Sequence, residues 1–396
     1  MSLGRNPALL KRAIESFESS LKLHPHHAKR QHFLGVCYST INSSSRSNEE
    51  KARKCFEKAF ELDPDDKCIA LELNFFYSQH DQIALARAHA EQVVRLTKGL
   101  WTNEWQRPGA FVRNIRSKPF WERSEFSWTD KIEAMYPIIK EELLALWGVK
   151  NLHNKATINA MPKRWGKVGS VHAGHDAEIV GKASPSSSSS SSSDLPTKSM
   201  PEWREYVLFG SDNDARMESD ARKKCPKTIA AIQKLVPEAT AMAAQGLGEV
   251  IFSVLAPGTR LKPHCASTNA RLTCHLGLVI PEDNKARIRV GDEWRTWHSG
   301  QCLFFDDSYE HEVQHLGTTP RAVLLLRFWH PDIPKNKWPN VMQEGMEQFE
   351  ELQRRRRYPP MEGEQRRMFE GHLRENGMAR QVLGLEGLIM DGSMEM

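Results

Sequence analysis

No apolar run in this chain approaches the ~18 residues that a membrane-spanning helix needs; the longest is Cys274 to Ile280. The first residues, MSLGRNPALLKRAIESF, carry charges with no apolar core between them, which is not the pattern of a secretory signal. Seven cysteines (37, 55, 68, 225, 265, 274, 302) are odd in number and form no CxxC pair. That argues against a disulfide framework and a structural zinc site and favours a reducing compartment. Charge of one sign is also scarce: 55 basic residues stand against 50 acidic, a well-mixed net +5 that points to no nucleic-acid partner. These absences predict a cytoplasmic location with no membrane span. With 396 residues, 39% hydrophobic and 27% charged, the chain is long enough for two or three domains with a sizeable core.

What is present begins with a repeated register. Ala13-Ile14-x-x-Phe17, Leu21 and His24-Pro25 return as Ala52-x-x-Cys55-Phe56, Phe60 and Asp63-Pro64. A third pass starts at Ala86 and runs through Ala90 and Val93. Ala52 to Ala86 is 34 residues; Ala13 to Ala52 is 39, the surplus falling in the Ser-rich stretch Asn42–Ser47. Small and aromatic residues alternate so that paired antiparallel helices interdigitate, and each proline stops a helix. Residues 6–98 resemble tetratricopeptide repeats. The resemblance implies a module for a protein or peptide partner; the plainer alternative is a helical extension of the neighbouring domain.

From Trp105 the texture changes. The Pro- and Gly-containing segment QRPGAFVRNIRSKPFW leads to Ser127-x-x-Asp130, a capping-box pattern. Ile132, Met135, Tyr136, Ile139, Leu143 and Leu146 follow as one helical face, with Pro137 marking a kink or the true helix start. Residues 148–199, with the serine run 186–193, hold too few apolar side chains to offset their chain entropy, and a disordered insertion is expected at about 165–199. Between Gly248 and Trp329 the hydrophobic period becomes two, in seven or eight short runs separated by turn signals such as Pro257-Gly258 and Gly291-Asp292. That pattern predicts an antiparallel jelly-roll barrel or sandwich. Residues 335–396 read as a charged helical tail in which Arg354–Arg357 form a solvated face. The fold class expected is therefore α+β and multidomain: helical repeats over 6–98, then a jelly-roll domain with flanking helices over 104–334, then the tail.

Six of the sixteen histidines (24, 26, 27, 32, 80, 89) fall in the helical repeats, where packing and solvated roles dominate. His264 follows the turn Pro257-Gly258-Thr259 and is expected to begin a strand; His311 sits in FFDDSYEHEV just before Val313. Ten residues later Arg321 opens the apolar run RAVLLLRF, where a guanidinium is costly unless it binds an anion. A metal on imidazoles with open positions can take a 2-oxo acid and dioxygen while an arginine grips the far carboxylate. By spacing alone these histidines are equally readable as surface or core residues.

A resemblance adds to that reading. VLAPGTRLKPHCASTNARLTCHLGLVIP and GQCLFFDDSYEHEVQHLGTTPRAVLLLRFWHPDI are similar to the metal-binding strands of the aspartyl/asparaginyl β-hydroxylase family. The likeness extends over roughly 104–150 and 200–334. It implies a double-stranded β-helix (jelly-roll) dioxygenase that uses Fe(II), 2-oxoglutarate and dioxygen to hydroxylate an unactivated carbon. By the resemblance, His264 and His311 are the iron ligands, Arg321 pairs with the distal carboxylate of 2-oxoglutarate, and His275 and Ser253 are its other contacts. Position 266 is Ala, where many such oxygenases carry a carboxylate ligand, and the family resembled dispenses with it. Asp306 and Asp307 are read as turn residues or supports for His311. Thr273 stands where some members carry a further cosubstrate-binding arginine. The acceptor implied is peptidyl Asp or Asn; alternatives are a lipid or small molecule, or a non-catalytic adaptor with a degenerate barrel.

Overall fold

The structure, a computed structural model, describes residues 7–41, 45–80, 82–96, 100–148, 165–167, 179–180, 203–210, 215–281, 285–341, 343–345 and 347. The Ala–aromatic spacing becomes five helices: α1 (Pro7–Leu23), α2 (Ala28–Ile41), α3 (Arg46–Leu62), α4 (Lys67–Gln79) and α5 (Ile83–Leu96). Each packs on the next in sequence. Pro25 and Pro64 lie two residues past the ends of α1 and α3, where a residue without an amide hydrogen cannot prolong the helix. Asp66 caps α4 by accepting from the backbone N–H groups of Cys68 and Ile69. Ala52 and Ala86 are fully buried, and a Cβ on Gly35 would meet the Phe56 ring at 2.7 Å, so small residues set how closely these helices approach. Residues up to Glu104 belong to one compact unit and Trp105–Gly345 to another.

The second unit opens with a short strand β1 (Phe120–Trp121) and the helices α6 (Thr129–Ala134) and α7 (Tyr136–Trp147). Pro137 stands in the first turn of α7, where a missing N–H costs nothing, and the break falls at Met135. Ser127 is not the cap its sequence pattern suggests: Trp128 precedes α6, and the Thr129 hydroxyl donates to the Phe126 carbonyl. Strands β2 (Gly166–Lys167), β3 (Ile179–Val180) and β4 (Trp203–Phe209) follow, then α8 (Ala215–Lys224), α9 (Pro226–Leu235) and α10 (Pro237–Ala244). The remainder of the serine-rich stretch, and the tail beyond residue 347, lie outside the described residues. Within that stretch Trp165 is buried against Trp147 and Tyr206, and β2 and β3 pair with sheet edges. A low average hydropathy over the stretch hid these few anchoring residues.

Eight more strands complete the unit: β5 (Val250–Leu255), β6 (Arg260–His264), β7 (Arg271–Val279), β8 (Ala286–Val290), β9 (Glu293–Thr296), β10 (Cys302–Phe305), β11 (His311–His315) and β12 (Arg321–Trp329). They form two antiparallel sheets, ordered β1-β10-β7-β12-β5-β4-β2 and β3-β6-β11-β8-β9. Alternation divides the side chains of the larger sheet between two cores. Phe252, Val254, Leu324 and Leu326 face the helices, together with Ile139, Leu143 and Ile232. Ile251, Leu255, Val323 and Leu325 face the smaller sheet, meeting Leu261, Ile288 and Val313. Gly277 on β7 is required by close approach: a Cβ there would lie 2.3 Å from the His298 carbonyl oxygen. Among the described residues no helix is long and apolar enough to cross a membrane.

Candidate functional site

His264 closes β6 rather than beginning a strand, because the turn at Pro257-Gly258 finishes early enough for β6 to start at Arg260. His311 opens β11, and the two histidines are antiparallel partners across the smaller sheet, with ring centroids 4.1 Å apart. Each ring is held through Nδ1 by the backbone carbonyl two residues earlier: His264 by Lys262 at 2.7 Å, His311 by Tyr309 at 2.9 Å. A carbonyl only accepts, so Nδ1 carries the hydrogen and the lone pair lies on Nε2, the form in which imidazole ligates metals. Burial, and then the charge His264 would carry, bring the pKa of His311 down to about 3, keeping it neutral.

The parity of the larger sheet brings the other candidates to the same inter-sheet space. Ser253 shares the face of Ile251 and Leu255, and Arg321 lies opposite Leu255 in the register. His275 lies opposite Leu325. Aromatic contacts run from one sheet to the other: His311 to Phe305 at 6.1 Å, Phe305 to His275 at 4.9 Å, His275 to Trp297 at 5.9 Å. The guanidinium of Arg321 covers the far side of this series, 4.6 Å over the Trp297 ring.

Arg321 is 2% exposed, and its Nε and Nη1 have no hydrogen-bond partner. Burial draws its pKa down to about 9, which leaves it cationic at neutral pH. Unmet donors on a buried cation cost several kcal/mol by rough reckoning, a cost that a carboxylate ligand would remove. His275 accepts from Trp297 Nε1 at Nδ1, so its hydrogen sits on Nε2, which also lacks a partner. Burial and then Arg321 hold His275 well below the usual histidine range. Ser253 Oγ accepts from Trp203 Nε1 at 3.0 Å.

Ala266 offers no ligand; its N–H donates to the Asp307 carbonyl. Among the described residues no group of three or more His, Cys, Asp or Glu is arranged to hold a metal, so the pair stands without a carboxylate. Neither aspartate bonds to His311, which takes its orientation from the Tyr309 carbonyl. Asp306 caps its own turn by accepting from the Ser308 N–H. Asp307 accepts from Thr273 Oγ1 at 3.0 Å, Arg327 Nε at 3.2 Å and Arg271 Nη2 at 3.4 Å. Burial alone would raise its pKa; Arg271 and Arg327 outweigh that and hold it at about 2. Thr273 is therefore tied to a carboxylate between two arginines. Cys274 lies in the helix-side core, with burial raising its thiol pKa, and Cys265 reaches the Trp105 carbonyl at 3.8 Å.

Trp297, Arg271, Arg327 and the Tyr309 carbonyl were not singled out by sequence. Parity could have found the arginines: Arg271 is four residues from His275 and Arg327 six from Arg321, so each faces as its neighbour does. Nothing local distinguishes Trp297, which lies in a connection rather than on a strand.

A sequence profile described as aspartyl/asparaginyl beta-hydroxylase matches residues 133–331, half of the chain. Human aspartyl/asparaginyl beta-hydroxylase is 23% identical over 358 residues, 81% of this chain and 41% of that protein. Mouse aspartate beta-hydroxylase domain-containing protein 1 is 41% identical over 114 residues, 28% of this chain and 30% of that protein. The chain thus spans less than half the length of these relatives. Among solved structures, the Escherichia coli ribosomal oxygenase YcfD overlaps 46% of this chain and 56% of that one at 13% identity, with a TM-score of 0.21, too low to bear on fold or chemistry.

Proposed function

The chain belongs to the aspartyl/asparaginyl β-hydroxylase family, and from that premise we propose that it is an iron(II)- and 2-oxoglutarate-dependent dioxygenase that hydroxylates an unactivated carbon. The observation that carries the proposal is the buried, partly unbonded Arg321, facing the same inter-sheet space as the His264–His311 pair. In a purely structural barrel, an apolar residue at position 321 would be the more stable choice. This weighs against a non-catalytic adaptor.

The residues fit the groups the family uses. His264 and His311, each with Nδ1 turned to a backbone carbonyl, would hold iron(II) through Nε2. Arg321 would take the distal carboxylate of 2-oxoglutarate, with His275 Nε2–H and Ser253 Oγ as further donors. Bound iron supplies oxygen activation coupled to 2-oxoglutarate decarboxylation. The chain's own contribution is orientation and dryness. Trp297 fixes the tautomer of His275 and the plane of Arg321, while Phe305 and Trp297 keep water from the charges between the sheets. On this reading the two-sheet unit is a double-stranded β-helix domain, taken as 104–334, and peptidyl Asp or Asn is the acceptor we favour.

The helical unit is read as tetratricopeptide-like and as the seat of a protein or peptide partner. On that reading the partner would seat in the groove between α3, α4 and α5, lined by Phe60, Leu73, Tyr77, Leu85 and His89.

Succinate formation from 2-oxoglutarate, with iron(II), ascorbate and oxygen, tests the enzyme proposal against a His311→Ala control. Turnover present in the natural protein and lost in the variant is expected. Absence of turnover together with absence of iron(II) and 2-oxoglutarate binding by calorimetry sinks it.

A further inference from the structure

The backbone carbonyl of Trp105 accepts from the Glu310 N–H at 2.7 Å and from Cys265 Sγ at 3.8 Å. Glu310 directly precedes His311 and Cys265 directly follows His264. One oxygen atom thus touches both histidine-bearing loops. We propose that residues 105–110 form a strap that positions the two histidines, with Gln106 and Arg107 as its positioning residues. The proposal rests on the reading of His264 and His311 as metal ligands.

On the His311 side the strap meets every residue of the turn except Asp307. Gln106 Nε2 donates to Asp306 Oδ2 at 3.0 Å and Ser308 Oγ at 2.9 Å, and its backbone bridges to Tyr309. Ser117 joins the same set, 2.6 Å from Gln106 Oε1 and 2.8 Å from the Tyr309 hydroxyl. Arg107 Nη2 donates to Glu310 Oε2 at 2.6 Å. Glu310, with no exposed surface, is gripped from its other side by Arg289 of β8 at 2.8 Å. On the His264 side, the Ala110 N–H donates to the Ser267 carbonyl at 2.9 Å and the backbone bridges to Thr268.

The consequence for the site runs through the Tyr309 carbonyl. That oxygen selects the Nδ1–H form of His311, and its direction depends on a backbone paired with Gln106. An Arg–Glu–Arg network so deeply buried is a poor source of net stability compared with apolar packing, while removing one partner leaves an uncompensated buried charge beside His311. Partners that orient metal ligands in this way typically change metal affinity about 10- to 100-fold when removed.

The test uses the full chain and cobalt(II) alone. In the metal-free protein, the tautomers of His264 and His311 are read from ¹⁵N-resolved ring correlations; cobalt(II) affinity is read by titration calorimetry, and stability by urea unfolding. Gln106→Ala and Arg107→Met should give His311 a mixed tautomer and weaken cobalt(II) about tenfold or more, with Arg107→Lys recovering most of the loss. Ile232→Val, a change in the helix-side core, should lower the urea midpoint and leave both site readouts unmoved. Should Arg107→Met fail to fold, Ser117→Ala, which deletes one hydroxyl from the same set, carries the comparison. Strap variants that lose stability yet keep the Nδ1–H form and full cobalt(II) affinity overturn the strap and leave the metal reading intact. A natural protein that binds cobalt(II) no better than His311→Ala overturns the metal reading, and the strap with it.

Discussion

Trp297 donates its indole N–H to His275 Nδ1 at 3.1 Å while the two rings lie stacked at an interplanar angle of 24°. A residue outside any strand thereby dictates which nitrogen of His275 faces the site with a hydrogen. Replacing Trp297 with Phe keeps the ring and deletes the donor, leaving a buried acceptor unmet at a cost of about 1–3 kcal/mol. The expected result is a rise in the KM for 2-oxoglutarate of about tenfold or more, with a smaller change in kcat. Steady-state succinate kinetics check it, and an unchanged KM removes Trp297 from the site.

Arg321→Met should separate stability from function. The natural side chain buries a cation with two unbonded nitrogens, so an unbranched apolar substitute is expected to raise stability by about 1–3 kcal/mol. On the proposed function, saturating 2-oxoglutarate should stabilise the natural protein by about 2.7 kcal/mol at one hundred times its Kd, and the same change should abolish that effect. Urea midpoints with and without the ligand decide the matter. A ligand effect that survives in the variant places the carboxylate elsewhere.

Gly277→Ala tests the close approach beneath Trp297. A methyl group 2.3 Å from the His298 carbonyl must push the 297–301 connection outward, because backbone and not a flexible side chain stands in the way. A loss of about 1–3 kcal/mol is expected from such overpacking, accompanied by a change in Trp297 fluorescence. Wild-type stability and emission in this variant contradict the geometry.

Acid sensitivity should trace in part to His330, outside the site. It is buried, donates from Nε2 to the Arg116 carbonyl, accepts the Asp332 N–H at Nδ1, and burial brings its pKa down to about 4. As pH falls through about 6.5 the unfolded chain takes up a proton that the folded chain refuses until near 4. Stability therefore declines across that window, by at most about 1.4 kcal/mol per pH unit from this one group. His330→Gln, which keeps one donor and one acceptor, should flatten the decline between pH 6.5 and 4.5. An identical slope in urea midpoints assigns the acid sensitivity to other groups.

The strands and the candidate residues were more legible in the sequence than the contacts that hold those residues. Period-two patterning from Val250 onward located strand after strand, because a strand buried on one or both faces must repeat its apolar positions. Arg321 stood out because a guanidinium interrupts an apolar strand, whereas His264 and His311 were distinguished by the family resemblance of the segments around them. What sequence could not display is contact across long separations: Gln106 with Asp306, Trp297 with Arg321, Arg271 with Asp307. These bonds depend on which strand ends come together, and no local spacing encodes that. The expected strand start at His264 also differed, since turn residues on both sides left the direction of the break open. Trp165 shows the same limit in a stretch whose average composition concealed one well-packed ring.

His264 and His311 are neighbours in one sheet, yet the chain between them leaves for the larger sheet twice, as β7 and as β10. Their pairing is a long-range contact, and its loop-closure entropy must be met before the non-local contacts it brings together offset it. Neither histidine can find the other in a nascent hairpin, and no excised segment of ordinary length carries both in register with Arg321. During synthesis the pair can close only after β11 has emerged, and Arg321 joins later still. On the proposed function, the site this pair would form is accordingly completed late in folding. A metal ion supplied before that point would meet two separate imidazoles.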